Sequence, residues 1–254
     1  MTNDFARFGK HSKSYSEGRR GYPEAVFYYL KIFCKEEDPL LDLGCGTGIS
    51  TRQLVLNGFQ DVQGVDHDEA MLDEAREQAT YKYIPYWLAE ASSLPFRTQF
   101  FQAVTCFSSL HWFADEDSLT AIRRVLKPKG VLFIVKKEDI SPFKNEIKQA
   151  LEEKLGITFP SITPFSELEV ALKQHRFTLE SEKAFEAEDL YSLPEAIEYI
   201  KSTTFWAGIA EEEKMPLIDT VVTPLLEAHI EVSKREKDRI IRRYNAVCLS
   251  ARKI

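Results

Sequence analysis

Short apolar runs recur at 39–43 (PLLDL), 61–66 (DVQGVD), 83–89 (YIPYWLA), 101–107 (FQAVTCF) and 131–136 (VLFIVK). Between most of them lie amphipathic segments, at 48–57, 69–79 and 117–126. Strand-length runs alternating with helix-length ones describe βαβ units, whose parallel strands are covered by helices on both faces. Leu40–Lys137 is thereby expected to form an α/β fold with a doubly wound, mostly parallel sheet. Ligands in such sheets sit at the carboxyl ends of the strands, where the strand order reverses. Asn57-Gly58 reads as a helix stop, and Pro128-Lys129-Gly130 as the turn before the fifth strand.

Ahead of this core, residues 1–21 form a polar, basic arm ending in Gly21-Tyr22-Pro23. A helix starting at Pro23 carries Val26, Tyr29, Leu30 and Phe33 at helical spacing, and Asp38-Pro39 is expected to end it. Beyond Lys137 the rhythm changes. Helices are expected at 142–155, 164–174 and 194–202, an alternating strand at 177–187, and a last strand at 244–253. A long helix is expected at 212–233, with Ile218, Val221, Val222, Leu225, Leu226, His229 and Ile230 on one face and a bend at Pro224.

Composition narrows the partners. The 254 residues are 44% hydrophobic and 29% charged, which is ordinary for a globular chain. A net charge of -7 argues against a protein that coats nucleic acid or anionic membrane. Cys34, Cys45, Cys106 and Cys248 are scattered, with no CxxC pair and no metal-ligand spacing, and read as buried reduced thiols. The start MTNDFARFGKHSKSY lacks the apolar run of a signal peptide, and no stretch approaches the ~18 apolar residues of a membrane span. A cytoplasmic protein without a metal site is expected.

The strongest local signal is Leu41-Asp42-Leu43-Gly44-Cys45-Gly46-Thr47-Gly48, which ends the first strand and opens a helix. Glycine allows a sharp turn and close approach of backbone to a ligand, and a helix start offers free N–H groups. Asp66, at the end of the second strand, has two oxygens suited to a ribose diol, although it also suits a cap for the helix beginning at Asp68. Asp42 lies inside an apolar strand, where a carboxylate needs donors; neighbouring loop N–H groups or a ligand ammonium would serve.

The ordered set LLDLGCGTG, GVDHDEAML, AEASSLPF, FQAVTCFSSLHWF and VLKPKGVLFI resembles the class I S-adenosylmethionine-dependent methyltransferases, closely over residues 8–137 and loosely beyond. Tyr15-x3-Arg19 followed by Tyr22-Pro23 is similar to the arm of the methyltransferase type 11 branch that includes trans-aconitate methyltransferase-like enzymes. The resemblance implies a Rossmann-like sheet of seven strands in one domain spanning 1–254. It would comprise the arm and first helix (1–37), a cofactor-binding core (38–137) and C-terminal edge strands (138–254). A helical insertion at about 188–240 reads either as a cap or as added core.

The resemblance also implies roles. Gly44, Cys45 and Gly46 would lie against the methionine end of S-adenosylmethionine, with Asp42 holding its ammonium. Asp66 would take the ribose, His67 and Met71 would pack beside ribose and adenine, and Glu90 with Ala91 would read the adenine amino edge. Phe107 and Ser108 would lie near the sulfonium, and Tyr15 and Arg19 would close over the carboxylate end. The branch usually has aspartate where this chain has Glu90, and proline where it has Arg20.

A sulfonium methyl is already activated, so alignment dominates, and a base is needed only for an acceptor that must lose a proton. His111 is the candidate base and, with Trp112, equally a pocket wall. Arg20, Trp112, Tyr199 and Trp206 are candidate contacts for a small-molecule acceptor, with arm cations suited to a carboxylate. Two other readings share the glycine turn and Asp66: a nicotinamide-dependent oxidoreductase, and a non-catalytic cofactor-binding module acting through a protein partner. The acceptor atom and the oligomeric state are open at this point.

Overall fold

The computed structural model describes residues 12–78, 83–160, 165–231 and 238–254. Its strands are β1 (Pro39–Leu43), β2 (Asp61–Asp66), β3 (Tyr86–Leu88), β4 (Phe101–Phe107), β5 (Leu126–Asp139), β6 (Phe177–Tyr191), β7 (Ile230–Glu231) and β8 (Arg239–Lys253). The helices are α1 (Ser12–Gly18), α2 (Glu24–Leu30), α3 (Ile49–Leu56), α4 (Glu69–Glu77), α5 (Glu116–Val125), α6 (Phe143–Leu155), α7 (Phe165–Gln174), α8 (Leu193–Lys201), α9 (Thr204–Ala207), α10 (Glu211–Leu217) and α11 (Thr223–Glu227). Seven strands run in the order β3-β2-β1-β4-β5-β8-β6, and the two-residue β7 pairs with β8. β1 pairs in parallel with β2 and β4, β2 with β3 and β4 with β5, while β7 and β8 pair antiparallel. This is the doubly wound α/β class.

The chain divides into two compact units. The core unit comprises Gly21–Lys137, the described part of 162–185, and 246–254. Strand order reverses between β1 and β4, which lie side by side with Asp42 opposite Thr105. One set of strand side chains (Leu41, Leu43, Val104, Cys106, Leu132, Ile134) packs with Leu119, Ile122 and Val125 of α5 and Leu168 and Leu172 of α7. Alternation sends Phe107 and Phe133 to other partners: Phe107 stacks on Phe27, and Phe133 packs at a tilt on Tyr29 and Phe33. α5 follows its caps: Asp115 accepts the Ser118 N–H at 2.8 Å, with Glu116 and Asp117 in the first turn and Arg123 and Arg124 in the last. All four cysteines are buried and unbridged.

The helical unit comprises the described residues of 1–20, 138–161 and 186–245. Its apolar core joins Phe143, Ile147 and Leu151 of α6 to Ala196, Tyr199 and Ile200 of α8, with Trp206, Val222 and Leu226. In its midst lies a fully buried guanidinium. Arg242 donates to Asp139 and, at 3.1 Å, to Asp189 Oδ2, while Lys144 also donates to Asp139. The Tyr199 and Tyr244 rings lie 4.7 and 4.8 Å from the Arg242 guanidinium carbon. Burial alone would raise the Asp139 carboxyl, and Lys144 with Arg242 carry it below the usual carboxylate range instead.

Several boundaries differ from the sequence reading, for physical reasons. α2 stops at Leu30, with turns rather than helix leading to Asp38. Pro128-Lys129-Gly130 is a bulge inside β5, since Phe101 pairs with Leu126 and Ala103 already with Val131. The helix expected over 212–233 is broken: Pro216 and Pro224 bracket a five-residue π-helical segment, Ile218–Val222, and Ile230 pairs with Ile240 in a strand. Parts of the arm (1–11) and of that segment (232–233) lie outside the described residues, as does the end of the helix expected over 69–79. No described helix is long and apolar enough to cross a membrane.

Removing one partner from a buried ionic cluster leaves the others uncompensated. Arg242→Ala is therefore expected to cost about 3–5 kcal/mol of stability in urea titrations. A loss below about 1 kcal/mol would show that the cluster is solvated.

Candidate active site

The site grows from Asp42, which is completely buried in β1. Its donors are three hydroxyls: Ser50 and Thr51 of α3 at 2.7 Å each to Oδ2, and Thr105 of β4 at 3.0 Å to Oδ1. Burial pushes its pKa up to about 6, against the opposing pull of those three hydroxyls. The loop N–H groups expected to help are used elsewhere: Gly44 and Cys45 both donate to the Val65 carbonyl, at 2.8 and 3.0 Å. Sequence reading missed Ser50, Thr51 and Thr105. The two α3 hydroxyls lie one helical turn past the glycines and were legible as candidates; Thr105 became a partner only through the β1–β4 register.

The turn itself requires glycine. Gly44, Gly46 and Gly48 have φ of +69°, +53° and +75°, in the left-handed region that a Cβ disfavours. At Gly44 a Cβ would also lie 2.6 Å from Ser109 Cβ, so the turn after β1 and the loop after β4 touch. Ser109 Oγ completes that junction by donating to the Leu43 carbonyl at 2.7 Å. At Gly46 the space is freer, with Met71 Cε 3.3 Å from the Cβ position.

Asp66 faces the turn. Its Oδ2 accepts the Gly46 N–H at 2.7 Å and its Oδ1 accepts the Asp68 N–H at 3.0 Å. The helix cap is Asp68, which accepts the Ala70 N–H. Two carboxylate oxygens offer about four acceptor positions, so Asp66 retains capacity for further donors. His67 Nδ1 lies 3.3 Å from Asp66 Oδ1, and this contact, with the charges of Asp66, Glu90 and Asp68, raises its pKa despite partial burial. Glu90 is exposed and Ala91 buried, and the Ala89 N–H donates to the Asp66 carbonyl at 3.0 Å. Gly46, Asp66, His67, Met71 and Glu90 thus gather in one neighbourhood. Cys45 is buried, its sulfur 3.0 Å from where a Gly64 Cβ would lie.

β4 ends in Phe107, packed on Tyr22 and Phe27, followed by Ser108. Ser108 has φ +52°, a strain of about 1–3 kcal/mol of the kind that persists only where surroundings enforce it. His111 and Trp112 follow in a single 3-10 turn with ring centroids 4.8 Å apart. A cavity at the ends of β4 and β5 is lined by Ser108, Ser109, Leu110, His111, Ile134, Val135, Lys136 and Leu168.

The remaining predicted residues belong to the helical unit. Arg19 lies over the rings of Tyr15 and Tyr199, 5.1 and 5.5 Å from their centroids, and donates to the Ser202 carbonyl at 3.0 Å. The Arg19 Nε and the Tyr199 hydroxyl are buried and have no hydrogen-bond partner among the described residues. Arg20 is paired with Glu195 at 2.6 Å and lies over the Tyr191 ring. Trp206 is buried in the core of that unit.

An adenosyl group with an amino acid tail fits this arrangement: a left-handed glycine turn open at Gly46, a carboxylate with spare acceptor capacity, and a buried acid able to ionise. Asp42 yields a stability test. The folded protein holds its proton to about pH 6, whereas the unfolded chain releases it near 4, so Asp42 lowers stability progressively as pH rises through that window. Relative to wild type, Asp42→Asn is expected to gain about 3 kcal/mol between pH 4 and pH 7 in denaturant titrations. Parallel pH profiles would refute the raised pKa.

The chain is similar to known methyltransferases. A model of the methyltransferase domain matches residues 41–134. An uncharacterised methyltransferase of Schizosaccharomyces pombe is 28% identical over 215 residues, covering 79% of this chain and 80% of its own. The carboxy-S-adenosyl-L-methionine synthase of Stutzerimonas stutzeri is 31% identical over 169 residues, 61% of this chain and 67% of that protein. The structure of YcgJ from Bacillus subtilis matches with a TM-score of 0.57 at 19% identity, over 91% of this chain and 99% of that one, a likeness of fold. Of the two ligand chemistries that a glycine turn and an acid at the end of β2 allow, these relatives select the sulfonium nucleoside over the nicotinamide. The chain belongs to the class I S-adenosylmethionine-dependent methyltransferases, and S-adenosylmethionine is its cofactor.

Proposed function

We propose that this methyltransferase modifies a small molecule bearing a carboxylate, held at the ends of β4 and β5. The observation that carries the reading is the cavity there, whose polar lining includes both His111 and Lys136 beside Ser108, within apolar walls of Ile134, Val135 and Leu168. A lysine and an imidazole beside the Ser108 and Ser109 hydroxyls favour an anion over an ammonium.

The bound cofactor supplies a methyl carbon made electrophilic by its sulfonium. The protein's own residues bind and orient. Asp66 takes the ribose hydroxyls with the acceptor positions that Gly46 and Asp68 leave free. Glu90 and Ala91 read the adenine edge, while His67 and Met71 form its walls. Asp42 balances the ammonium, behind a turn whose backbone comes close at Gly44, Cys45 and Gly46. Phe107 and Ser108 exclude water where the methyl is presented. A carboxylate acceptor arrives deprotonated, so no base is required, and His111 contributes to the shape of the cavity instead.

Two measurements test this. Asp66→Ala is expected to weaken S-adenosylhomocysteine binding at least tenfold by calorimetry, since it removes hydrogen bonds to a charged acceptor. For the acceptor, the protein is incubated with S-adenosylmethionine and panels of small carboxylic acids, phenols and amines, and S-adenosylhomocysteine is quantified. Turnover is expected with acids, and Lys136→Met is expected to raise KM for them roughly tenfold while cofactor affinity holds. Turnover confined to phenols or amines would defeat the carboxylate reading.

A further inference from the structure

Gln53, on α3 just past the glycine turn, grips the main chain of Tyr22 on both sides. The Tyr22 N–H donates to Oε1 at 2.7 Å, and Nε2 donates to the Tyr22 carbonyl at 2.9 Å. A Cβ at Gly21 would lie 2.5 Å from the Gln53 amide, so a side chain there would displace this grip. Lys137 Nζ, near the end of β5, donates to the Gly21 carbonyl at 2.7 Å and lies 5.0 Å from the Tyr22 ring centroid. So held, the ring packs on Phe107 at 4.8 Å between centroids, and the hydroxyl donates to Ser108 Oγ at 2.9 Å. Packing alone would be served by phenylalanine. The hydroxyl adds a hydrogen bond to the one residue at the end of β4 whose backbone is left-handed. Ser108 is held on its other side by its own N–H, which donates to the Val135 carbonyl at 2.7 Å.

We propose that Tyr22 is a positioning residue for methyl transfer: aimed by Gln53 and Lys137, its hydroxyl locks Ser108 in the left-handed backbone that walls the cofactor pocket at the end of β4. The inference rests on the reading of Phe107 and Ser108 as neighbours of the sulfonium. It also gives α3 a second task. Ser50 and Thr51 hold the buried carboxylate of Asp42, and Gln53, from the same short helix, holds the main chain of Tyr22.

The test uses the full chain and S-adenosylhomocysteine as the probe, by calorimetry. Tyr22→Phe keeps the ring and deletes the hydroxyl, and is expected to weaken binding roughly tenfold. Tyr29→Phe deletes a comparable bond in the same unit, from Tyr29 to Ser181 Oγ at 2.6 Å, and is expected to leave affinity within about twofold. In a Ser108→Gly background, where a left-handed backbone needs no clamp, Tyr22→Phe is expected to change affinity by less than about twofold. Gln53→Met, which frees the Tyr22 main chain and retains the phenol, is expected to weaken binding in the same direction as Tyr22→Phe. Wild-type affinity in Tyr22→Phe, or an equal loss with and without Ser108→Gly, would overturn the proposal. A wild-type protein that takes up no S-adenosylhomocysteine would overturn the reading of the β4 end itself, and the proposal with it.

Discussion

A carboxylate inside a strand is costly unless donors surround it, and Asp42 meets that requirement by recruiting hydroxyls from two other elements. Ser50 and Thr51 bring the start of α3 against β1, and Thr105 ties β1 to β4. The glycine turn is what remains of the chain between those anchors, so its left-handed residues are consequences of where α3 must begin. The cost is visible in the raised pKa, which shows that three neutral hydroxyls compensate burial only in part. An acid poised in that way responds to a cation brought near it, which is the property an amino acid ammonium would exploit.

The same economy recurs at the next level. N–H groups of Gly44, Cys45 and Gly46 are spent on Val65 and Asp66. The turn therefore meets a ligand through close backbone approach and shape more than through donated hydrogen bonds from these three residues. Asp66, by accepting from Gly46 and Asp68, is held in one orientation, which in the proposed site would lower the entropy lost when a ribose binds. The helical unit makes a different bargain. Its Arg242 is buried among carboxylates and tyrosines, an arrangement that fixes geometry more than it adds net stability.

How far the sequence reading reached follows from the range of each interaction. β1, β2 and β4 have the bounds their apolar runs predict, because a strand buried on both faces announces itself by composition alone. The 212–233 segment was harder to read. Its apolar spacing is helical, yet Pro216 and Pro224 divide it and a strand pairing takes Ile230. Arg20 illustrates the opposite difficulty, since a cation in an arm invites a ligand until Glu195, 175 residues away, is seen to hold it. Tyr22 stood out only as part of the arm motif and Gln53 not at all, because neither residue's neighbours in the sequence show which distant group its side chain meets.

What the sequence determined by itself is whatever neighbours along the chain enforce: the strand–helix alternation, the left-handed turn at Gly44, Gly46 and Gly48, and the acid that closes β2. These features announce a nucleotide-binding α/β fold, and the ordered set of motifs around them carries the resemblance to methyltransferases. Only the tertiary structure decided which distant groups complete the site. Thr105 reaches Asp42 across 63 residues and Tyr22 reaches Ser108 across 86, through strand register and side-chain packing. Such pairings leave no period in the sequence, because a hydrogen bond between side chains depends on where two backbones are brought together and not on what lies beside either one.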